Sequence, residues 1–238
     1  ALLFACTPGV VLFFATSMEA VFTALMLAAA WPLTKSVRDR RLDAALLGGV
    51  LLGVATLFTY ASVLVAVWTA LLWGVTIRRT PDDGRLWSLP IVQVLGFALP
   101  VLGLTALGYD AVASLAAALG ADAEAVGTGT ESLLRWAGLG VANLAAWAVS
   151  FGAASLAVPD RDIERTPELL AFAGVLLFAG FSTLFTLEVE RIWLPLHALG
   201  LIALLGGTPR RRRPPLALWA GLLLAQTLLI ELLAETRW

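Results

Sequence analysis

Long apolar runs, separated by short charged clusters, set the rhythm of the chain. Residues 1–14, 19–34, 43–77, 86–108, 137–158, 168–186, 192–207 and 216–233 are built mainly from Ala, Val, Leu, Ile and Phe. At ~1.5 Å per residue most of these runs match a bilayer core of about 30 Å. The run 43–77 does not, because a single helix of that length would reach ~50 Å. Thr59-Tyr60-Ala61-Ser62 divides it into a hairpin of two short helices. Gly49 and Gly53 in the first half form a small-xxx-small pair that permits close helix contact. The pattern predicts an all-α polytopic transmembrane helical bundle of about nine spans, forming one domain over residues 1–238.

Breakers refine the picture. Thr7-Pro8-Gly9 predicts a bend in the first run, and Trp31-Pro32 is expected to end the second before the basic loop 35–41. Pro90, Gly96, Pro100 and Gly103 predict a kink in the run 86–108. Residues 109–136 read as a long loop on the outer face. Its Ala-rich middle, 111–126, is expected to lie at the interface as a short helix, followed by Gly127-Thr128-Gly129-Thr130. The first residue is Ala1, inside an apolar run and with no charged stretch before it, so a signal peptide is not expected and a longer parent protein is.

Composition agrees with the pattern: 60% hydrophobic, 14% charged and a mean hydropathy of +0.89, against roughly 25% charged residues in a soluble domain. Cys6 is alone, which excludes an internal disulfide, and a single cysteine with the single His197 argues against a zinc site. There is no Gly-rich phosphate loop and no basic-aromatic surface for nucleic acid.

The placement of charge gives a topology. With loops alternating sides, Lys35, Arg38, Arg40, Arg41, Arg78, Arg79, Arg85, Arg161, Arg165 and Arg210 to Arg213 fall on one side, and Arg135, Arg191 and Arg237 on the other. The cation-rich side is expected to be cytoplasmic, with the amino end inside and the carboxyl end outside the cell membrane. The outer face is then acidic, with Glu19, Asp110, Asp122, Glu124, Glu131, Glu188, Glu190 and Glu235. The stretch Leu187-Glu188-Val189-Glu190-Arg191-Ile192-Trp193 puts two carboxylates and a guanidinium at a membrane surface, where ionisable groups mark candidate sites. A carboxylate there can take a proton from a hydroxyl, and Arg191 can hold a phosphate bidentately. The competing structural reading has Glu188 or Glu190 pairing with Arg191 to cap a turn. Glu19 likewise gains from the helix dipole at its span's start. His197, one to two turns into its helix, reads as a packing or interface residue, and the tryptophans near span ends as an aromatic belt.

Two stretches resemble polyprenol-linked glycosyltransferases of the GT-C superfamily, its mannosyltransferases in particular. Residues Thr7-Pro8-Gly9 through Phe13-Phe14 to Glu19-Ala20-Val21-Phe22 are similar to that family's proline, aromatic pair, short outer turn and acidic helix start. Glu188-Val189-Glu190-Arg191-Ile192-Trp193-Leu194-Pro195 is similar to an acidic-Arg-Ile-Trp-Leu element of bacterial members. The resemblance implies transfer of a sugar from a polyprenyl-phosphate donor to a glycan or lipid acceptor on the outer face. It implies no cofactor, the lipid-linked sugar being substrate. It also implies a catalytic Asp or Glu in a first outer loop, which would precede Ala1. Expected roles are catalytic for Glu19, Glu188 and Glu190, and substrate-binding for Arg191, Arg135, Tyr60 and His197, with no metal. The rival reading is a transporter or lipid-handling protein, suited by the polar residues Gln93, Asn143, Gln226 and Glu231 inside spans and by the breaks at Thr7-Pro8 and Tyr60. No internal repeat is evident to support it, and a non-catalytic membrane scaffold is the third option.

Overall fold

The computed structural model describes residues 2–13, 18–114, 116–117, 120, 131–152, 166–182, 193–207 and 216–234. Among the described residues every regular element is helical. In chain order they are α1 (Leu2–Ala5), α2 (Pro8–Phe13), α3 (Glu19–Asp39), α4 (Leu42–Phe58), a 3-10 turn (Tyr60–Ser62), α5 (Val63–Arg79), α6 (Gly84–Ala106), α7 (Leu133–Phe151), α8 (Pro167–Phe181), α9 (Leu194–Gly207) and α10 (Leu216–Ala234).

Among the described residues, three helical segments are long and apolar enough to cross a membrane: Ala20–Asp39, Tyr60–Arg79 and Gly84–Ala106. Leu42–Phe58, Pro167–Phe181, Leu194–Leu204 and Ala217–Ile230 are shorter apolar helices. The outside of the bundle is apolar as well. On α6, Ile91, Val94, Leu95, Leu99 and Leu102 are each 60–64% exposed and follow a helical repeat, while Leu86, Leu89 and Gly96 face inward. Such a surface is costly in water and comfortable in lipid tails. The chain is a membrane-embedded helical protein.

The tightest packing joins α4 to α6. A Cβ added at Gly96 would come within 2.5 Å of the Leu46 carbonyl oxygen, and one at Gly53 within 2.6 Å of that of Phe97. A Cβ at Gly49 would collide with the Gln93 carbonyl. The two backbones therefore touch along a strip that only glycine leaves free. The hairpin expected within 43–77 is present. Thr59 is extended (φ −154°, ψ 129°), the 3-10 turn follows, and Thr59 Oγ1 accepts from the Ala61 N–H at 3.2 Å. The hydroxyls of Thr56 and Ser62 bond at 2.8 Å across the turn.

Two expectations are corrected. Pro32 does not end its helix: α3 runs on through Lys35 and Arg38 to Asp39, and stops where Arg40 adopts the left-handed conformation (φ 59°) with its N–H on the Ser36 carbonyl. Burial of Pro32, Leu33, Ser36 and Val37 holds the helix beyond the proline, at the loss of a single backbone N–H. The tryptophans are not one belt. Trp31 and Trp87 are exposed, whereas Trp68, Trp147, Trp193 and Trp219 lie in the core. α6 is helical through both Pro90 and Pro100.

Ion pairs gather the cationic connections at one end. Arg40 Nε donates to Asp83 Oδ2 at 2.7 Å, tying the α3–α4 turn to the α5–α6 loop. Arg38 Nε lies 3.4 Å from Glu168, in the first turn of α8. At the other end the Trp136 indole N–H donates to the Phe181 carbonyl at 2.9 Å, so the start of α7 meets the finish of α8. The Arg40 guanidinium beside Asp83 holds its carboxyl below the ordinary carboxylate value; desolvation opposes this and the Arg85 backbone N–H assists.

Gly96→Ala is expected to destabilise the protein by about 1–3 kcal/mol through overpacking. Gly74→Ala, at a site where an added Cβ meets nothing within 4 Å, is expected to be neutral or stabilising. Thermal unfolding of the two purified variants in one detergent measures the difference. Because Asp83 titrates lower when folded than when unfolded, its pairing contributes stability above the ordinary carboxylate value and loses it as pH falls through that range. Acid titration of thermal stability should therefore be shallower for Asp83→Asn than for the unmodified chain.

Candidate functional site

At the end of the bundle away from Arg40 and Asp83, the hairpin turn opens a cavity of about 420 Å³. Its position follows from chain direction. α3 and α5 run toward the cationic end and α4 and α6 run away from it, so the turn after Phe58 and the residues after Ala106 arrive together. Thr56, Thr59 and Ser114, the tyrosines Tyr60 and Tyr109, and the phenylalanines Phe58 and Phe97 are among the residues that line it. Asp110 sits between the lining residues Tyr109 and Ala111, and its Oδ1 accepts from the Ala113 N–H at 2.9 Å.

The lining combines flat apolar faces with hydroxyl donors and acceptors, a mixture suited to a ligand that is part hydrocarbon and part polyol. No carboxylate lines the cavity among the described residues. Such a lining can bind and orient a ligand.

The structure brings together some of the residues singled out from sequence. Tyr60 lines the cavity. Glu19 begins α3, and so stands at the same end of the bundle. Arg135, in the first turn of α7, is also at that end; its Nε lies 3.4 Å from Glu131 and its backbone N–H is capped by Ser132 Oγ at 3.1 Å. Glu188, Glu190 and Arg191 lie outside the described residues, as do 115, 118, 119 and 121–126 of the expected interfacial helix; residues 111–114, 116, 117 and 120 are helical.

His197 is elsewhere. It is fully buried one turn into α9, with Nε2 3.1 Å from Ser150 Oγ and its ring stacked on Phe151 at 5.6 Å. Gly9 of α2 abuts the same ring, where a Cβ would stand 2.6 Å from Cε1. His197 Nδ1 and Trp147 Nε1 are buried without a hydrogen-bond partner among the described residues. With Trp147 beside it, His197 locks α2, α7 and α9 together.

Two of the polar residues inside spans have structural partners. Asn143 Nδ2 donates to the Gly180 carbonyl at 3.3 Å and Gln226 Nε2 to the Val149 carbonyl at 3.0 Å, so each bonds a neighbouring helix.

Tyr109 and Ser114 were not singled out from sequence. Their cue is faint: a tyrosine and an aspartate directly after a span, at the end where the Tyr60 turn also surfaces. Comparison with protein-family models, with curated proteins and with solved structures finds no match to this chain.

Proposed function

We propose that the chain is an integral membrane glycosyltransferase of the GT-C kind, moving a sugar from a polyprenyl-phosphate donor to a glycan or lipid acceptor at the outer face of the cell membrane. In this reading the chain crosses the membrane nine times, with the amino end inside and the carboxyl end outside. The arginine-bearing end of the bundle is cytoplasmic and the Tyr60 cavity outward.

The observation that carries the reading is the cavity itself: an aromatic and hydroxyl lining at the end of the bundle opposite the cations, next to apolar helices along which a lipid chain can lie. The sugar and the first isoprene units would rest against Tyr60 and Tyr109, with Thr59 and Ser114 bonding sugar hydroxyls. A carboxylate among Glu19, Glu188 and Glu190 takes the proton from the acceptor hydroxyl. The acceptor oxygen then bonds the anomeric carbon as the bond from that carbon to the lipid phosphate oxygen breaks. The departing phosphate keeps the electron pair, and its charge is met by Arg191 and Arg135. In this reading His197 positions α2 and α9 instead of binding substrate.

The transport reading is weaker because Asn143 and Gln226, two of the polar residues that suggested a pathway, are engaged in helix-to-helix bonds.

The test is transfer of labelled sugar from a polyprenyl-phosphate donor by the whole protein in liposomes. Glu190→Gln is expected to lower transfer by about 10²-fold or more with unchanged protein level, the range for removing an acid–base group. Tyr60→Ala is expected to raise the donor KM. Solute flux with no transfer, or transfer indifferent to Glu190→Gln, would overturn the proposal.

A further inference from the structure

A second, larger cavity, of about 560 Å³, lies between α3 and α9 at the opposite end of the bundle. Its chemistry changes steadily along α3. Leu27, Ala30 and Trp31 come first, then Thr34 and Lys35, then Arg38 and Asp39, all at helical spacing on one face. Ala198, Leu199 and Ile202 of α9 form the other wall. Trp31 is 67% exposed and Ile202 51%, so the groove opens sideways, toward the surroundings of the bundle. From Leu27 to Asp39 the rise is ~18 Å, close to one leaflet, since half of a bilayer core is about 15 Å.

The charges at its mouth are incompletely paired. Arg38 has Glu168 as partner at 3.4 Å. Lys35 and Asp39 stand one turn apart, where an i,i+4 ion pair is within reach, yet no ion pair joins either to any described residue. Lys35 Nζ lies instead 5.2 Å over the ring of Trp31. The order outward along the groove is therefore apolar wall, aromatic ring, ammonium, carboxylate. The ammonium and carboxylate are separated by ~6 Å of helix rise.

A phospholipid with a primary amine presents the complementary order: acyl chain, glycerol, phosphate, ammonium. Its phosphate would meet Lys35, with the Arg38 side chain alongside, and its ammonium, farther from the membrane middle, would donate to Asp39. A purely anionic headgroup meets Lys35 but brings no cation to Asp39. A quaternary choline group has no N–H to give Asp39. We infer that the α3–α9 groove is a binding site for a zwitterionic aminophospholipid of the phosphatidylethanolamine class, taken from the leaflet at the cationic end. The site is independent of sugar transfer and is separate from the Tyr60 cavity.

Trp31 provides the reporter. The whole protein is placed in lipid nanodiscs of phosphatidylcholine containing a rising fraction of phosphatidylethanolamine with brominated acyl chains. Quenching at Trp31 is read as the difference between the unmodified chain and Trp31→Phe. Brominated phosphatidylcholine and brominated phosphatidylglycerol serve as comparison lipids.

Phosphatidylethanolamine is expected to quench at about one fifth of the mole fraction that phosphatidylcholine needs, the scale of one exposed charge-assisted contact. The paired exchange Lys35→Asp with Asp39→Lys keeps the net charge and should abolish that preference. Ile202→Trp, which fills the groove while leaving both charges in place, should weaken groove occupancy by all three lipids. Equal quenching by phosphatidylethanolamine and phosphatidylcholine would overturn the inference. So would preference for phosphatidylglycerol, or a preference for phosphatidylethanolamine that survives the charge exchange in a variant of unchanged thermal stability.

Discussion

The close approach of α4 and α6 governs the rest of the bundle. Gly49, Gly53 and Gly96 let one backbone lie directly against the carbonyls of the other. In lipid, apolar side chains gain little by leaving their surroundings, so helices are held by close fit and by polar bonds between them. Here the fit comes from absent side chains, and the outer face of α6 is apolar from Ile91 to Leu102. α4 and α6, which run the same way, are thereby held side by side, with α3 packed against α4.

Polarity between the two ends follows from that arrangement. Arg40 reaches Asp83 because the α3–α4 turn and the α5–α6 loop emerge side by side, and Arg38 brings the first turn of α8 to the same level. At the other end the Tyr60 turn and the residues after Ala106 enclose a cavity with no lining charge among the described residues. The molecule therefore presents a cationic mouth with an apolar, leaflet-deep groove at one end and an aromatic, hydroxyl-lined hollow at the other. The first suits a phospholipid headgroup. The second suits a lipid-borne polyol, and the proposed transfer reaction is built upon it.

Much of this was legible in the residues. The break at Thr59-Tyr60-Ala61-Ser62 could be inferred because an unbroken helix of that length exceeds the bilayer core, and Gly49 and Gly53 because their spacing has one physical use. The clustering of arginines at one end was legible for the same local reason. Pro32 misled because a proline's local cost is visible in sequence, whereas the burial of Leu33 and Val37 that offsets it is tertiary. The tryptophans misled because nearness to a span's end does not say which way a ring faces. The contact of His197 with Ser150, 47 residues earlier, and that of Gly9 with the same ring, join distant parts of the chain and leave no local pattern. The cavity partners Tyr109 and Ser114 were hidden for that reason too. The count of nine spans rested on run length and on the alternation of charged loops; among the described residues three helical segments are long and apolar enough to cross a membrane, and the other apolar helices are shorter.

The most direct measurement is cysteine accessibility at the two ends, in a chain whose own Cys6 has been replaced by alanine. Leu107, 83% exposed just beyond α6, and Asp82, in the loop that pairs with Arg40, are each changed to cysteine and treated in intact cells with a thiol reagent that does not cross membranes. Labelling of Leu107→Cys in intact cells, with Asp82→Cys reached only after permeabilisation, is the expected result. Labelling of both in intact cells, or of Asp82→Cys alone, would contradict a bundle whose cations face the cytoplasm and whose Tyr60 cavity opens outward.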